Sequence, residues 1–451
     1  MRRPTARSLA TGAAGIAAGI LGGITLTAVS AEGAEPLAPA TPLEAAHVPR
    51  LMTLPGEPVR LRFALVCSPR ADGRECDGSG DLFLRSGQSG TFSRIPLRRG
   101  DDSREGRYYA DVPPDIAQGR AGFSYYAVLR DDARGEELTL PSGGAAAPQR
   151  SFPMRGEAAI DLGVHTFGRT SPPAARIVDA RWGSDVGQAG VAGTRELGFV
   201  GPSAFDVTRG GDVVLLDQVN ARLQRWAEGR VSATPLTVSG GLADLAVELD
   251  GTINVLEPPN RTAPAAVLRR FRSDGTLKHV QQLADRTWSK LVLGPAGPLV
   301  QEQPSELWMP GAADKASQRR GARPGRALAG GREVLIQRAG EGELRIGELA
   351  GQALVRSWRI VSATPLGEVQ LAEPLADRIL VVVKTFTQTR GEYLVLSLGP
   401  RGVGHRFSVD APQWAESAPL ARFRLSGSSL YRLGSSDSAA FVDRFDLEVT
   451  G

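Results

Sequence analysis

Reactive side chains are sparse in this chain, and their placement limits the chemistry open to it. There are four histidines, His47, His165, His279 and His405. A zinc or calcium centre needs histidines, asparagines or carboxylates that converge from several elements. His47 sits in a Pro/Ala-rich stretch. His279 in "DGTLKHVQQL" and His405 in "RGVGHRFSV" follow a turn that leads into an outermost strand. His165 in "DLGVHTFG" falls on a closing strand, so all three are expected at the surface. No G-x-S-x-G elbow, phosphate-binding loop or H-E-x-x-H pair occurs. The recurrent Asp-Gly pairs lack the alternating acidic ligands of a calcium loop and read as hairpin turns. The sequence therefore names no catalytic residue, no metal ligand and no cofactor.

Two other groups have chemical potential. Cys67 and Cys76 flank a turn-forming stretch, "CSPRADGREC". A C-x-x-C redox pair is excluded by spacing, and no further zinc ligands are near. A disulfide is the expected use, contributing about 2.5–3 kcal/mol on the chain-entropy model. The second group is the basic run "DKASQRRGARPGRALAGGRE", with Arg319, Arg320, Arg323 and Arg326. A solvated loop is the plain expectation for it. The sharper one is an anion-binding patch for an acidic glycan, a phospholipid headgroup or a partner's carboxylates.

Positioning these residues falls to short strands. Glycine (54) and proline (31) punctuate the 451-residue chain, and no sustained helical period appears. Lys+Arg (53) nearly balance Asp+Glu (49), for a net charge of +4. That balance argues against nucleic acid as a partner. Residues 1–31 carry Arg2, Arg3 and Arg7, then an apolar run, then "VSA". This is the pattern of a signal peptide, and it places the protein in the periplasm or outside the cell. A retained anchor and twin-arginine export stay open. After cleavage no stable membrane span is expected, and an oxidising compartment suits the cysteine pair.

Residues 32–56 are Pro/Ala-rich and read as a linker. From 57 the pattern changes. In "EPVRLRFALVCS", Val59, Leu61, Phe63, Leu65 and Cys67 alternate with Arg60 and Arg62, as on a strand with one buried face. Six or seven such runs between 57 and 153 predict a β-sandwich. The stretch "GRYYADVPPDIAQGRAGFSYYAVLRDDARG" resembles bacterial immunoglobulin-like or fibronectin-III-like modules. Aromatic usage then shifts. All six tryptophans lie beyond the boundary, whereas four of the six tyrosines lie before it.

Residues 154–451 repeat one unit. "GPSAFDVTRGGDVVLLDQVNARLQRW" reads as strand, turn, strand, Asp-x-x-Asn-x-Arg corner and strand. "LADLAVELDGTINVLEPPNRTAPAAVLRRFRSDGTL" repeats it, and shorter forms follow to the C-terminus. The spacing of about forty residues is that of a propeller blade. The first unit resembles an NHL repeat, matching at Gly201, Pro202, Asp217, Asn220 and Arg222. The resemblance implies that Asp and Asn fold the corner and that Arg bridges neighbouring loops. It implies architecture, not activity. The whole predicts an all-β chain, a six-bladed β-propeller behind an immunoglobulin-like β-sandwich. A blade buries its faces only against its neighbours, so the ring must close. Segment 157–168, with Ile160, Leu162 and Val164 alternating, is expected to pair beside "FVDRFDLEV" as the outer strand of the last unit.

The function expected from these features is non-catalytic binding of a protein or a cell-envelope polymer. The alternatives are a hydrolase or lyase with an unrecognised metal site, and a structural spacer in a surface assembly.

Overall fold

The computed structural model describes residues 43–66, 78–100, 107–259, 265–283, 288–302, 307–311, 321–400 and 402–447. Cys67, Cys76, Arg319 and Arg320 lie outside them, as does the expected leader. Among the described residues no helix is long and apolar enough to cross a membrane.

The first module is two facing sheets. One orders Glu44–Ala46, Arg60–Val66, Arg107–Asp111 and Arg98–Arg99 side by side. The other orders Met52–Thr53, Gln149–Pro153, Phe123–Asp131, Gly78–Ser86 and Ser93–Pro96, with Glu136–Leu140 also paired to Phe123–Asp131. The alternation in "VRLRFAL" is realised directly. Leu61, Phe63 and Leu65 join Leu82, Tyr125 and Leu129 in one core, while Arg60 and Arg62 face outward.

The stretch read as a linker, 32–56, is structured over its described part. Ala45 pairs with Leu65, and Met52 pairs in parallel with Phe152. The open edges of both sheets carry unpaired backbone groups, and the prolines of this stretch leave short extended runs that satisfy them. His47 is carried inward with it. It is buried, stacks on Phe63 at 4.3 Å, and bonds the Arg62 carbonyl (2.6 Å) and the Tyr125 hydroxyl (2.9 Å).

The second module is a propeller-type succession of antiparallel meanders. The first sheet runs Ala204–Val207, Val213–Asp217, Arg222–Ala227 and Arg230–Pro235. The second runs Asp244–Val247, Ile253–Glu257, Val267–Phe271 and Leu277–Gln282. The third comprises Trp288–Gly294, Gly297–Glu302 and Trp308–Pro310. The fourth runs Arg326–Ala327, Arg332–Gly340, Glu343–Ala350 and Ala353–Val361. The fifth runs Leu366–Leu375, Arg378–Phe386, Gly391–Gly399 and Gly402–Asp410. The sixth runs Phe423–Ser426, Ser429–Ser435 and Ala439–Asp446. The first strand of the first sheet adjoins the first strands of both the second and the sixth.

The joining strand differs from the one expected. Ala175–Arg181, not 157–168, pairs antiparallel to Ala439–Asp446 and completes the sixth sheet. Val178 and Ala180 are buried there, and Arg176 bonds Asp443 at 2.9 Å. Ala158–Asp161 instead adds in parallel to the outer edge of the fourth sheet, Ile160 opposite Ile360. Ile160 and Leu162 are buried, but Val164 is 76% exposed. The apolar alternation therefore stops before the third aliphatic, and the four-residue strand caps an edge of the fourth sheet.

The modules dock through a shared core of Met52, Phe152, Met154, Leu335 and Leu349. Arg345 of the fourth sheet donates to Glu57 at 2.7 Å and to the Met52 carbonyl at 3.0 Å.

Candidate functional site

The corner of the first sheet shows why its motif has the residues it has. Asp217 ends the second strand and is fully buried. Its Oδ2 accepts from Asn220 Nδ2 (2.9 Å), Arg222 Nε (2.9 Å) and Gln224 Nε2 (3.1 Å), and its Oδ1 from the Gly190 N–H (2.9 Å). Arg222 spends its remaining donors on the carbonyls of Ser184, Asp185 and Gln188. Ala221, in a left-handed conformation (φ 50°), makes the reversal between strands. Gly201 and Pro202 are buried beside this corner, and the Gly201 carbonyl accepts from Gln218 Nε2 at 2.7 Å. Related buried acids recur: Glu257 accepts from Arg269 at 2.8 Å, and Glu348 from Arg332 and Arg356 at 2.7 and 2.6 Å. Asp217 and Glu257, which end their strands, brace corners, and Glu348 bridges the two strands beside its own.

The axis of the second module is different. The first strand of each sheet contributes a charged residue: Asp206, Asp244, Lys290, Arg326, Glu373 and Arg424 in chain order. They reach from sheet to sheet. Arg424 of the sixth sheet bonds Asp244 of the second at 2.9 Å and lies 3.8 Å from Asp206 of the first. Lys290 of the third sheet donates to the Gln370 carbonyl of the fifth at 2.7 Å. Arg326 of the fourth donates to the Ala372 carbonyl and to Glu373 of the fifth, both at 2.7 Å. Backbone N–H groups of Val247 and Leu291 complete Asp206 and Asp244. Contacts thus run between sheets that are not neighbours in chain order as well as between neighbours.

Electrostatics fit those contacts. Burial raises the Asp206 carboxyl above the usual carboxylate range, against the pull of Arg424. Burial pushes the Lys290 ammonium down to about 8, and Arg424 and Arg326 push the same way. Among the described residues no three His, Cys, Asp or Glu side chains gather into a metal-binding group.

Five of these six residues were missed by sequence reasoning, which looked for converging histidines and clustered carboxylates; Arg326 was singled out, but as part of a surface patch. The available signal was weaker: a single charge inside an otherwise apolar first strand, as in "FDV", "DLAV", "SKLVLG" and "FRLS". The histidines divide. His279 and His405 do lie on the fourth strands of their sheets. His165, expected at the surface, is buried and bonds Glu392 at 2.7 Å, because the chain turns inward after Gly163 to cap the fifth sheet. Of the basic run, Arg323 is near Glu333 (3.8 Å) and Arg326 is an axial brace, turned away from solvent. Arg326 therefore cannot belong to a surface anion patch.

A cleft of roughly 820 Å³ opens between the first and second sheets. Asp206, Asp212, Glu248 and Asp250 line it together with Arg209 and Arg225. Leu249 on its rim is 84% exposed.

No protein-family model matches this chain, and no curated protein matches it. Among solved structures it is similar to a catalytically inactive virginiamycin B lyase from Staphylococcus aureus, solved with quinupristin, at 12% identity and TM-score 0.30, over 57% of this chain and 98% of that one. It is also similar to a gluconolactonase from Xanthomonas campestris at 12% identity and TM-score 0.27, over 61% of this chain and 99% of that one. A protein from Lactobacillus plantarum is similar at 10% identity and TM-score 0.24, over 82% of this chain and 97% of that one. These likenesses are too distant to assign an activity or a ligand.

Proposed function

We propose that this is an exported, non-catalytic binding protein, in which an immunoglobulin-like sandwich and a six-bladed, NHL-like propeller together present a surface to a protein or a cell-envelope polymer. One observation carries the reading. The three axial acids and three axial bases are spent on one another and on backbone groups. Groups so engaged brace the ring and are not free to act on a substrate. The expected Cys67–Cys76 bridge belongs to the same reading, since export supplies the oxidant. Thiol titration of unreduced, denatured protein should then find no free thiol.

The test is co-sedimentation of the full chain with isolated cell envelope, followed by mass analysis of the bound material. Retention with the ligand mass unchanged supports the reading. Conversion of the ligand, accompanied by a stoichiometric metal that survives dialysis, overturns it. A hydrolase or lyase with an unrecognised metal site is the second reading, and a structural spacer in a surface assembly the third.

A further inference from the structure

The two modules leave a groove of roughly 580 Å³ between them. One wall is the outward face of the sandwich strand Arg60–Val66 with the loop before it, and the other is the edge of the strand Arg332–Gly340. Arg50, Arg60, Arg62, Arg107 and Arg338 line it, and among the described residues no carboxylate does. In a chain whose bases and acids nearly balance, that local segregation is unusual.

Arg50, Arg60 and Arg107 are already engaged. Arg60 is paired with Asp111 at 2.7 Å, and Arg50 lies 3.7 Å from Glu57. Arg62 and Arg338 are both exposed, and no side-chain partner is described for either. They come from different modules, and the docking contacts of Arg345 with Glu57 and Met52 hold those modules together. The spacing of the charges is thus fixed before any ligand arrives. The floor adds a second signal. Gln337 is 3% exposed, and the Met52 N–H fixes its Oε1. Its Nε2 is buried without an acceptor, an unmet polar group beneath the groove. Val48, Pro49 and Pro58 give the groove apolar flanks, with Val48 73% exposed.

We infer that this groove binds a segment of an anionic glycan, its carboxylate or phosphate groups held by Arg62 and Arg338. Guanidinium forks match both oxyanions in bidentate geometry, and the apolar flanks suit the faces of sugar rings. Because the charges are arginines, the site stays cationic across the physiological pH range. The inference rests on the proposed binding function and names the ligand class for its polymer branch.

The experiment uses the full chain with three probes at physiological salt: polygalacturonate for carboxylate, a phosphodiester-linked glycan for phosphate, and dextran as the neutral control. The variants are Arg62→Ser/Arg338→Ser and, as a charge-matched control, Arg209→Ser/Arg230→Ser. Both pairs are exposed, and thermal unfolding checks that each variant is folded. Binding of one or both charged probes but not dextran is expected. The groove variant should lose about tenfold or more in affinity, with the loss shrinking as salt rises, while the control binds like wild type. Whichever charged probe binds identifies the group recognised. Equal affinity of wild type and groove variant, or no wild-type binding to either charged probe, overturns the groove assignment. The broader function fails separately, if wild type is not retained by whole envelope.

Discussion

His47 should act as an acid-sensitive weak point of the sandwich. Its imidazole is buried between Phe63 and Tyr125. The Arg62 carbonyl requires a proton on Nδ1, which leaves Nε2 to accept from the Tyr125 hydroxyl. Tyr125 oxygen in turn accepts from the Arg50 N–H at 3.3 Å. Protonating Nε2 would turn two donors toward each other and bury a cation. Burial holds the histidine down at about 4, with the Arg62 hydrogen bond pulling the other way. The unfolded chain takes up a proton near pH 6.5 and the native state only near pH 4, so stability falls as pH drops through that window. About 2.5 units at 1.36 kcal/mol each amount to about 3 kcal/mol. The assay is urea unfolding at pH 7 and pH 4, followed by tyrosine and tryptophan signals. His47→Phe, which keeps the stack on Phe63 but cannot titrate, is the reference, because carboxylates also titrate toward pH 4. Wild type should lose about 3 kcal/mol more than the variant. Equal losses would refute the buried neutral imidazole.

Three further outcomes follow from the same geometry. Asp217→Ala strands Arg222, Asn220 and Gln224 together and should cost about 3–5 kcal/mol in urea unfolding. Asp217→Asn, which keeps an acceptor, should cost less. Lys290→Met should raise stability at pH 7, because the native ammonium is disfavoured by burial. Wild-type stability should then rise between pH 8 and 10.5, closing the gap in a pH series of melts. Deleting 175–181 should unfold the whole second module cooperatively, since it removes the strand that joins its two ends. Deleting 158–161 should leave the module folded with a lower melting temperature.

What was legible in the sequence was periodicity and corner chemistry. Alternation in "VRLRFAL" and the Asp-x-x-Asn-x-Arg corner depend on neighbours a few residues apart, so the residues themselves disclose strand, face and turn. Long-range pairing was less accessible. Ile160, Leu162 and Val164 alternate as well as Val178 and Ala180 do, and nothing local says which segment meets Ala439–Asp446. The answer lay in charge, since Arg176 finds Asp443, 267 positions away in sequence. His47 misled because a Pro/Ala-rich stretch reads as linker until an open sheet edge recruits it. The axial residues were the least visible, being isolated charges in apolar strands that acquire meaning only when the strands converge.

The reading of the axis as a brace, from which the proposal of binding over catalysis follows, is tested most directly by a double-mutant cycle on Arg424 and Asp244. The variants are Arg424→Met, Asp244→Asn and the pair, with free energies from urea unfolding. The single Arg424→Met change should cost about 3–5 kcal/mol, because Asp244 is left buried and uncompensated. The pair should recover at least about 1 kcal/mol relative to the sum of the singles. Singles as stable as wild type, with no coupling between them, would contradict the account and leave the axial charges free for substrate chemistry.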